Sequence, residues 1–196
     1  MIDLSDAPIE SAVPRLVRWG SELTPVLGGV TQRLDRLGSR HAIEARMPPM
    51  RIEADGRRWI ARLLRASQEG GRITFPQVEF EPGPCGRPTV GTATAAGRTI
   101  PITGATAHYV VKEGQWLSVV HGGRSYLYCC TAQVVLNAAG AGFVTVDVLL
   151  RSPLSIGDPV ELAAPVIEGW LAGDGYEWTI ERRRTVGLSF TIVERA

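Results

Sequence analysis

His121 stands directly before Gly122-Gly123, and the adjacent pair Cys129-Cys130 follows shortly after. A cysteine nucleophile needs a stabilised thiolate and an imidazole within hydrogen-bond reach. Neighbouring residues of a strand point to opposite faces, so at most one of these thiols can approach a given histidine. Small thiols in a strand are also ordinary sheet filling. Zinc is served less well, because the chain has no C-x-x-C or H-x-x-x-H spacing. Its cysteines and histidines are too scattered to make a tetrahedral set. Paired carboxylates for acid–base work would come from Glu79, Glu81, Asp147, Asp158 and Glu161. Asp158, between Gly157 and Pro159, reads as a turn residue. Asp147 interrupts an apolar strand and is expected to face solvent or a neighbouring subunit. A glycosidase flanks its scissile bond with two such groups, and its cleft would call for more aromatics than the 7% found here.

The remaining motifs are equally quiet. Neither Gly28-Gly29 nor Gly122-Gly123 belongs to a phosphate loop of the G-x-x-x-x-G-K-[ST] type, and both read as turns. Arg182-Arg183-Arg184 falls at the expected tip of the last hairpin without the interleaved aromatics of a nucleic-acid patch. It reads as a solvated loop or as a salt-bridge partner across a subunit boundary. Trp116, Tyr126, Tyr128, Trp170, Tyr176 and Trp178 divide between core and interface, where Trp and Tyr are enriched. No catalytic, metal or cofactor-binding set assembles from these residues.

The elements that position them are mostly strands. Residues 13–19 read as a first strand or an extended arm, ended by Pro25 and Gly28-Gly29. Val30 to Leu37 and Arg40 to Met47 read as strands flanking a tight turn at Gly38-Ser39. In the second run His41, Ile43, Ala45 and Met47 alternate with Ala42, Glu44 and Arg46, the period of a half-buried strand. Pro48-Pro49 stops it. A helix is expected over Glu53 to Ser67, with Trp59, Ile60, Leu63 and Leu64 on its apolar face. Gly70-Gly71 ends the helix, and Arg72 to Phe75 reads as another short strand. After the turn-rich crossing from Pro82 to Pro88, strands are expected over residues 89–95, 99–103, 115–121, 125–136, 142–150 and 159–162. Short strands at this pitch suggest a small barrel or sandwich. Glu177 to Arg182 and Val186 to Glu194 read as a closing hairpin whose partners lie before Pro48.

The expected fold is therefore mainly β, with one α-helix packed on a β-sandwich. The sandwich is discontinuous, residues 1–79 and 166–196, and a small β-barrel or sandwich of residues 80–165 is inserted in it. Among 196 residues the apolar fraction is 44% and the charged fraction 21%, with a net charge of +1. That is ordinary for a globular chain, with no overall field to gather nucleic acid or anionic lipid. No run is long and apolar enough to insert in a membrane. The acidic start MIDLSDAPIESA lacks the pattern of a secretory signal, so folding in a cytoplasm with reduced thiols is expected.

Several strings share a pattern with a known family. They are Leu27-Gly28-Gly29 through Gln32-Arg33, Arg36-Leu37-Gly38 to Met47-Pro48-Pro49-Met50, Gly114-Gln115-Trp116-Leu117-Ser118, Gly122-Gly123-Arg124-Ser125-Tyr126-Leu127, and Thr185-Val186-Gly187-Leu188-Ser189-Phe190-Thr191. Together they resemble the distal tail proteins of long, flexible-tailed bacteriophages (siphophages). The resemblance implies a structural virion protein, six copies forming a ring between the tail tube and the tip or baseplate hub. It implies no catalysis and no cofactor, and places the protein in the virion tail after synthesis in the bacterial host. The alternatives are another tube or terminator component, or a tail-tip module that binds a host-surface glycan or protein. Assembly contacts are expected at Arg33 and Arg36 in the early hairpin, Trp59 under the helix, and Arg182, Arg183 and Arg184 at the late hairpin. The partners expected are further copies of the chain, the tube protein and the hub.

Overall fold

The front of the chain lays down β1 (Ile2–Asp3), β2 (Ser11–Val17), β3 (Gly20–Leu23), β4 (Gln32–Asp35), β5 (Arg40–Arg46) and β6 (Met50–Arg51). One wide π-helical turn, Ile52–Gly56, leads into α1 (Arg57–Glu69), and β7 (Gly71–Thr74) follows. The computed structural model describes residues 1–173, 178–180 and 184–195, and among them α1 is the single α-helix of a mainly β chain. Trp59, Leu63 and Ala66 form its buried stripe, whereas Leu64 is 41% exposed. At about 100° per residue Leu64 lies one step round from Leu63 and leaves the sheet, and Ala66 occupies the stripe instead. Gly70 ends the helix at φ +80°, its N–H donating to the Ala66 carbonyl at 2.8 Å. That positive φ is a conformation glycine adopts without penalty.

The middle of the chain supplies β8 (Gly86–Val90), β9 (Thr99–Ala105), β10 (Val110–Val111), β11 (Trp116–His121), β12 (Arg124–Cys129), β13 (Val134–Val135), β14 (Gly142–Thr145) and β15 (Val160–Glu161). They pair as β12-β11-β15, β14-β9-β8 and β10-β13 around a core that includes Val90, Ile100, Leu117, Val119, Tyr128 and Val144. We call this the β module. The expected strand over residues 125–136 is two strands, because the backbone changes partners at Cys130. Cys130 N–H donates to the Gln115 carbonyl at 2.8 Å, and Thr131 N–H to the Thr145 carbonyl at 3.0 Å.

The tail contributes β16 (Val166–Leu171), β17 (Thr179–Ile180), β18 (Thr185–Gly187) and β19 (Ser189–Glu194). The largest sheet runs β1-β7-β16-β19-β5-β2, so strands from both ends of the chain share one platform. Its core joins Leu4, Ile43, Trp59, Leu63, Ile73, Ile167, Phe190 and Ile192. The expected run Val186 to Glu194 breaks at Leu188, whose carbonyl accepts the Met47 N–H at 2.9 Å. On either side of that break β18 pairs with β6 and β19 with β5.

One local reading is corrected. The strands flanking Gly38-Ser39 do not pair with each other. β5 pairs with β2 from Ser11↔Arg46 to Val17↔Arg40, and β4 pairs with β3 from Gly20↔Asp35 to Leu23↔Gln32. The two pairings continue one another across an offset at residues 18–19 and 36–39. Gly38 packs under Trp19, where an added Cβ would meet the indole ring at 3.2 Å. The small residues expected to turn the chain instead let a long hairpin bend past a tryptophan.

Candidate functional site

That hairpin is an arm. Beyond the platform edge, β3 and β4 form a two-stranded ribbon with no third strand among the described residues. Its tip carries Val26 and Leu27 fully exposed and Val30 at 86%. Trp19, Leu23 and Leu37 are each more than half exposed along its length. An isolated two-stranded ribbon is marginal in water, and apolar side chains at its tip gain nothing until they are covered. Arg98 of the β module holds the arm's base through Asp35 at 2.9 Å, and Arg33 bonds the same carboxylate at 3.2 Å. Between arm and module lies a cleft of about 430 Å³ lined by Trp19, Arg33, Arg36, Arg98 and Asp147.

A second constellation seals the junction of platform and module. His41 (β5) and Glu194 (β19), each 2% exposed, come from the platform. Asp147 and Arg151 come from the segment after β14. His41 Nε2 bonds Asp147 Oδ2 at 2.8 Å, and Nδ1 lies 3.2 Å from the Leu127 carbonyl and 3.4 Å from Glu194 Oε2. Glu194 Oε2 also accepts the His41 N–H at 2.7 Å. Its Oε1 accepts the Leu127 N–H at 2.8 Å and the Arg151 guanidinium at 2.7 Å. The Cys129 N–H donates to Asp147 Oδ1 at 3.0 Å. Two carboxylates thus meet one imidazolium and one guanidinium, a neutral set with both Glu194 oxygens in use.

Burial opposes the charge on His41, but hydrogen bonds to Asp147 and Glu194 and their charges outweigh it and raise its pKa to about 9. Burial likewise works against the Asp147 and Glu194 carboxylates, yet His41, joined at Glu194 by Arg151, leaves both below the ordinary range. Asp147, expected to face solvent or a neighbour, does reach the cleft with its side chain 22% exposed, and it is also tied to His41 within the chain. Residue types alone do not reveal this network, because His41 and Glu194 lie 153 positions apart. The one signal available was His41 on the core side of an alternating strand, where a histidine must find partners.

His121, the histidine set beside the cysteine pair by spacing, instead bonds Asp158 through Nδ1 at 2.8 Å, and Asp158 also accepts the Ser155 N–H at 2.7 Å. That pair ties β11 to a turn. Burial pushes the Cys129 thiol up to about 11 and the Cys130 thiol to about 12, and the Asp147 charge adds to both. Both thiols stay protonated at neutral pH. Among the described residues no three His, Cys, Asp or Glu side chains converge as metal ligands.

The expected contact residues are scattered. Arg33 and Arg36 are exposed on the arm. Trp59 is 1% exposed and lies in the chain's own core, so it offers no surface to a neighbour and is corrected to a packing role. Arg58 and Arg62 stack near its ring at 5.7 and 4.9 Å, and Arg62 grips Asp6 at 2.6 Å. Arg184 is exposed, at φ +59°, with Glu53 at 3.7 Å. Arg182 and Arg183 lie outside the described residues. No protein-family model matches the chain, and no curated protein shows significant similarity to it.

Proposed function

We propose that this chain is a structural subunit of a bacteriophage tail, six identical copies of which join side by side in a ring at the distal end of the tube, above the tip or hub. The observation that carries this reading is the arm, a ribbon whose Val26, Leu27 and Val30 have no cover among the described residues. A closed ring of identical copies supplies such cover to every arm at once. The platform supports the same reading, because a sheet holding both ends of the chain fixes the root of the arm on a rigid base. In this reading the protein acts by shape and self-association, its partners are its own copies, the tube subunit and the hub, and it works in the virion without catalysis or cofactor. The test is particle mass by light scattering together with electron microscopy of the purified chain, alone and mixed with tube. Rings are expected, and Val26→Asp with Leu27→Asp should leave monomers. A wild-type protein that stays monomeric at high concentration and never joins a tube would overturn the reading.

A further inference from the structure

Three arginines gather round a half-exposed tryptophan on the platform. Arg40, Arg124 and Arg195 line a groove of about 500 Å³ with Trp170, and the Arg195 guanidinium stacks 4.2 Å from the Trp170 ring. The carboxylate at the groove floor, Glu194, is already committed to His41, Leu127 and Arg151. Among the described residues none of the three arginines forms an ion pair; Arg195 Nη2 donates to Met1 Sδ at 2.8 Å and the Glu69 carbonyl at 3.5 Å, and the Nε atoms of Arg40 and Arg195 are buried without a hydrogen-bond partner. A cluster of planar guanidiniums beside an aromatic ring is suited to a segment that alternates carboxylates with an apolar side chain.

The same chain presents such a segment. Phe80 N–H closes a turn on the Gln77 carbonyl at 3.3 Å, lifting Val78 to 85% exposure. Glu79 follows at φ +58°, a left-handed conformation that a residue with a Cβ adopts at a cost. Gln77 Oε1 accepts the Trp116 N–H at 2.8 Å, and the Lys112 ammonium stands 5.4 Å from the Phe80 ring, so both flanks of the turn are fixed. Glu79 and Glu81 are exposed and, among the described residues, make no ion pair. Trp170 lies beyond the Gly169↔Gly71 pair at the start of β7, and Val78 lies beyond its end. Val78, Glu79 and Glu81 are exposed and none of them lines the groove, so the two patches do not meet within one chain.

We infer that the Arg40–Arg124–Arg195 groove receives the Val78–Glu79–Glu81 knob of a second copy, Val78 against Trp170 and the carboxylates on the guanidiniums. Two unlike patches on one subunit make a head-to-tail contact, the kind that propagates round a ring. The inference rests on the reading of the chain as a self-assembling subunit, which it supplies with a specific joint.

A labelled peptide of residues 76–82 titrated against the full-length protein by fluorescence anisotropy tests it. Saturable binding is expected, weakened by added salt, and about tenfold weaker for Arg124→Glu or Trp170→Ala, the loss of one good contact. Thermal melting of both variants checks that they are folded. In the whole protein, Arg124→Glu and Glu81→Arg should each reduce particle mass, and the two together should restore it. A peptide that does not saturate, or that Arg124→Glu binds as well as wild type, overturns the joint even if rings form. Peptide binding by a protein that never exceeds monomer mass, with or without tube, keeps the recognition and sinks the ring.

Discussion

Strand β5 leads to two unlike regions. At its start His41 enters a junction where every oxygen of Glu194 has a partner and four charges cancel. Across the Gly38–Ser39 offset the same stretch of chain runs into the arm, whose tip leaves Val26 and Leu27 in solvent. In the first region charged groups are buried and paired with opposite charges; in the second apolar groups are exposed and uncovered. The junction holds platform and module in one arrangement. The arm contributes little to the single chain, and its side chains become useful when another surface meets them.

The sharpest break falls on the junction. Glu194→Ala strands the buried Arg151 and His41 charges and should cost about 3–5 kcal/mol in chemical denaturation. Trp59→Ala opens a cavity beneath α1 and should cost a similar 3–5 kcal/mol or so. If Trp59→Ala melts like wild type, the helix does not hold the platform as described. If Glu194→Ala does, the junction is not a clamp.

Alkaline pH should act next. The folded pKa of His41, about 9, lies above its ordinary value of 6.5. Its contribution, up to about 3 kcal/mol, is complete below pH 6.5 and drains away as pH rises through 9. Asp147 and Glu194, held low, contribute above the ordinary carboxylate range and lose that contribution as pH falls through their folded values. Melting temperature should therefore plateau in mildly acidic solution and decline at both ends. In His41→Gln the alkaline decline should flatten; an unchanged decline would assign it to another group.

Smaller effects belong to the arm. Arg98→Ala removes a surface ion pair with Asp35 and should cost less than about 1 kcal/mol, while hydrogen exchange in β3 and β4 quickens. Unchanged exchange would mean that Arg98 does not steady the arm. Smallest of all is the tip: Val26→Asp with Leu27→Asp should move the stability of the isolated chain by no more than about 0.5 kcal/mol. A large loss there would show that the tip packs against its own chain, and the contrast between the two regions would fail.

Local rules made part of this legible. Trp59 and Leu63 repeat at helical spacing, Gly70 marks the stop, and the alternation of residues 40–47 and 188–192 places Ile43, Ala45, Phe190 and Ile192 on a core face. These patterns are short-range, so a linear string carries them whole. The break of residues 125–136 at Cys130 was hidden because either face of a strand can hold a small thiol, and the change of hydrogen-bond partner leaves no trace in residue type.

The amino-acid order by itself determined the β-rich class, the helix with Trp59 and Leu63 on its buried face, and the strands at both chain ends, because propensity and periodicity act between neighbours. Only the tertiary structure decided that residues 30–37 extend an arm rather than close a hairpin on residues 40–47. Only it brought His41, Asp147, Arg151 and Glu194 together. Strand pairing and buried charge are settled by what lies opposite in space, and a residue's neighbours in sequence do not specify that.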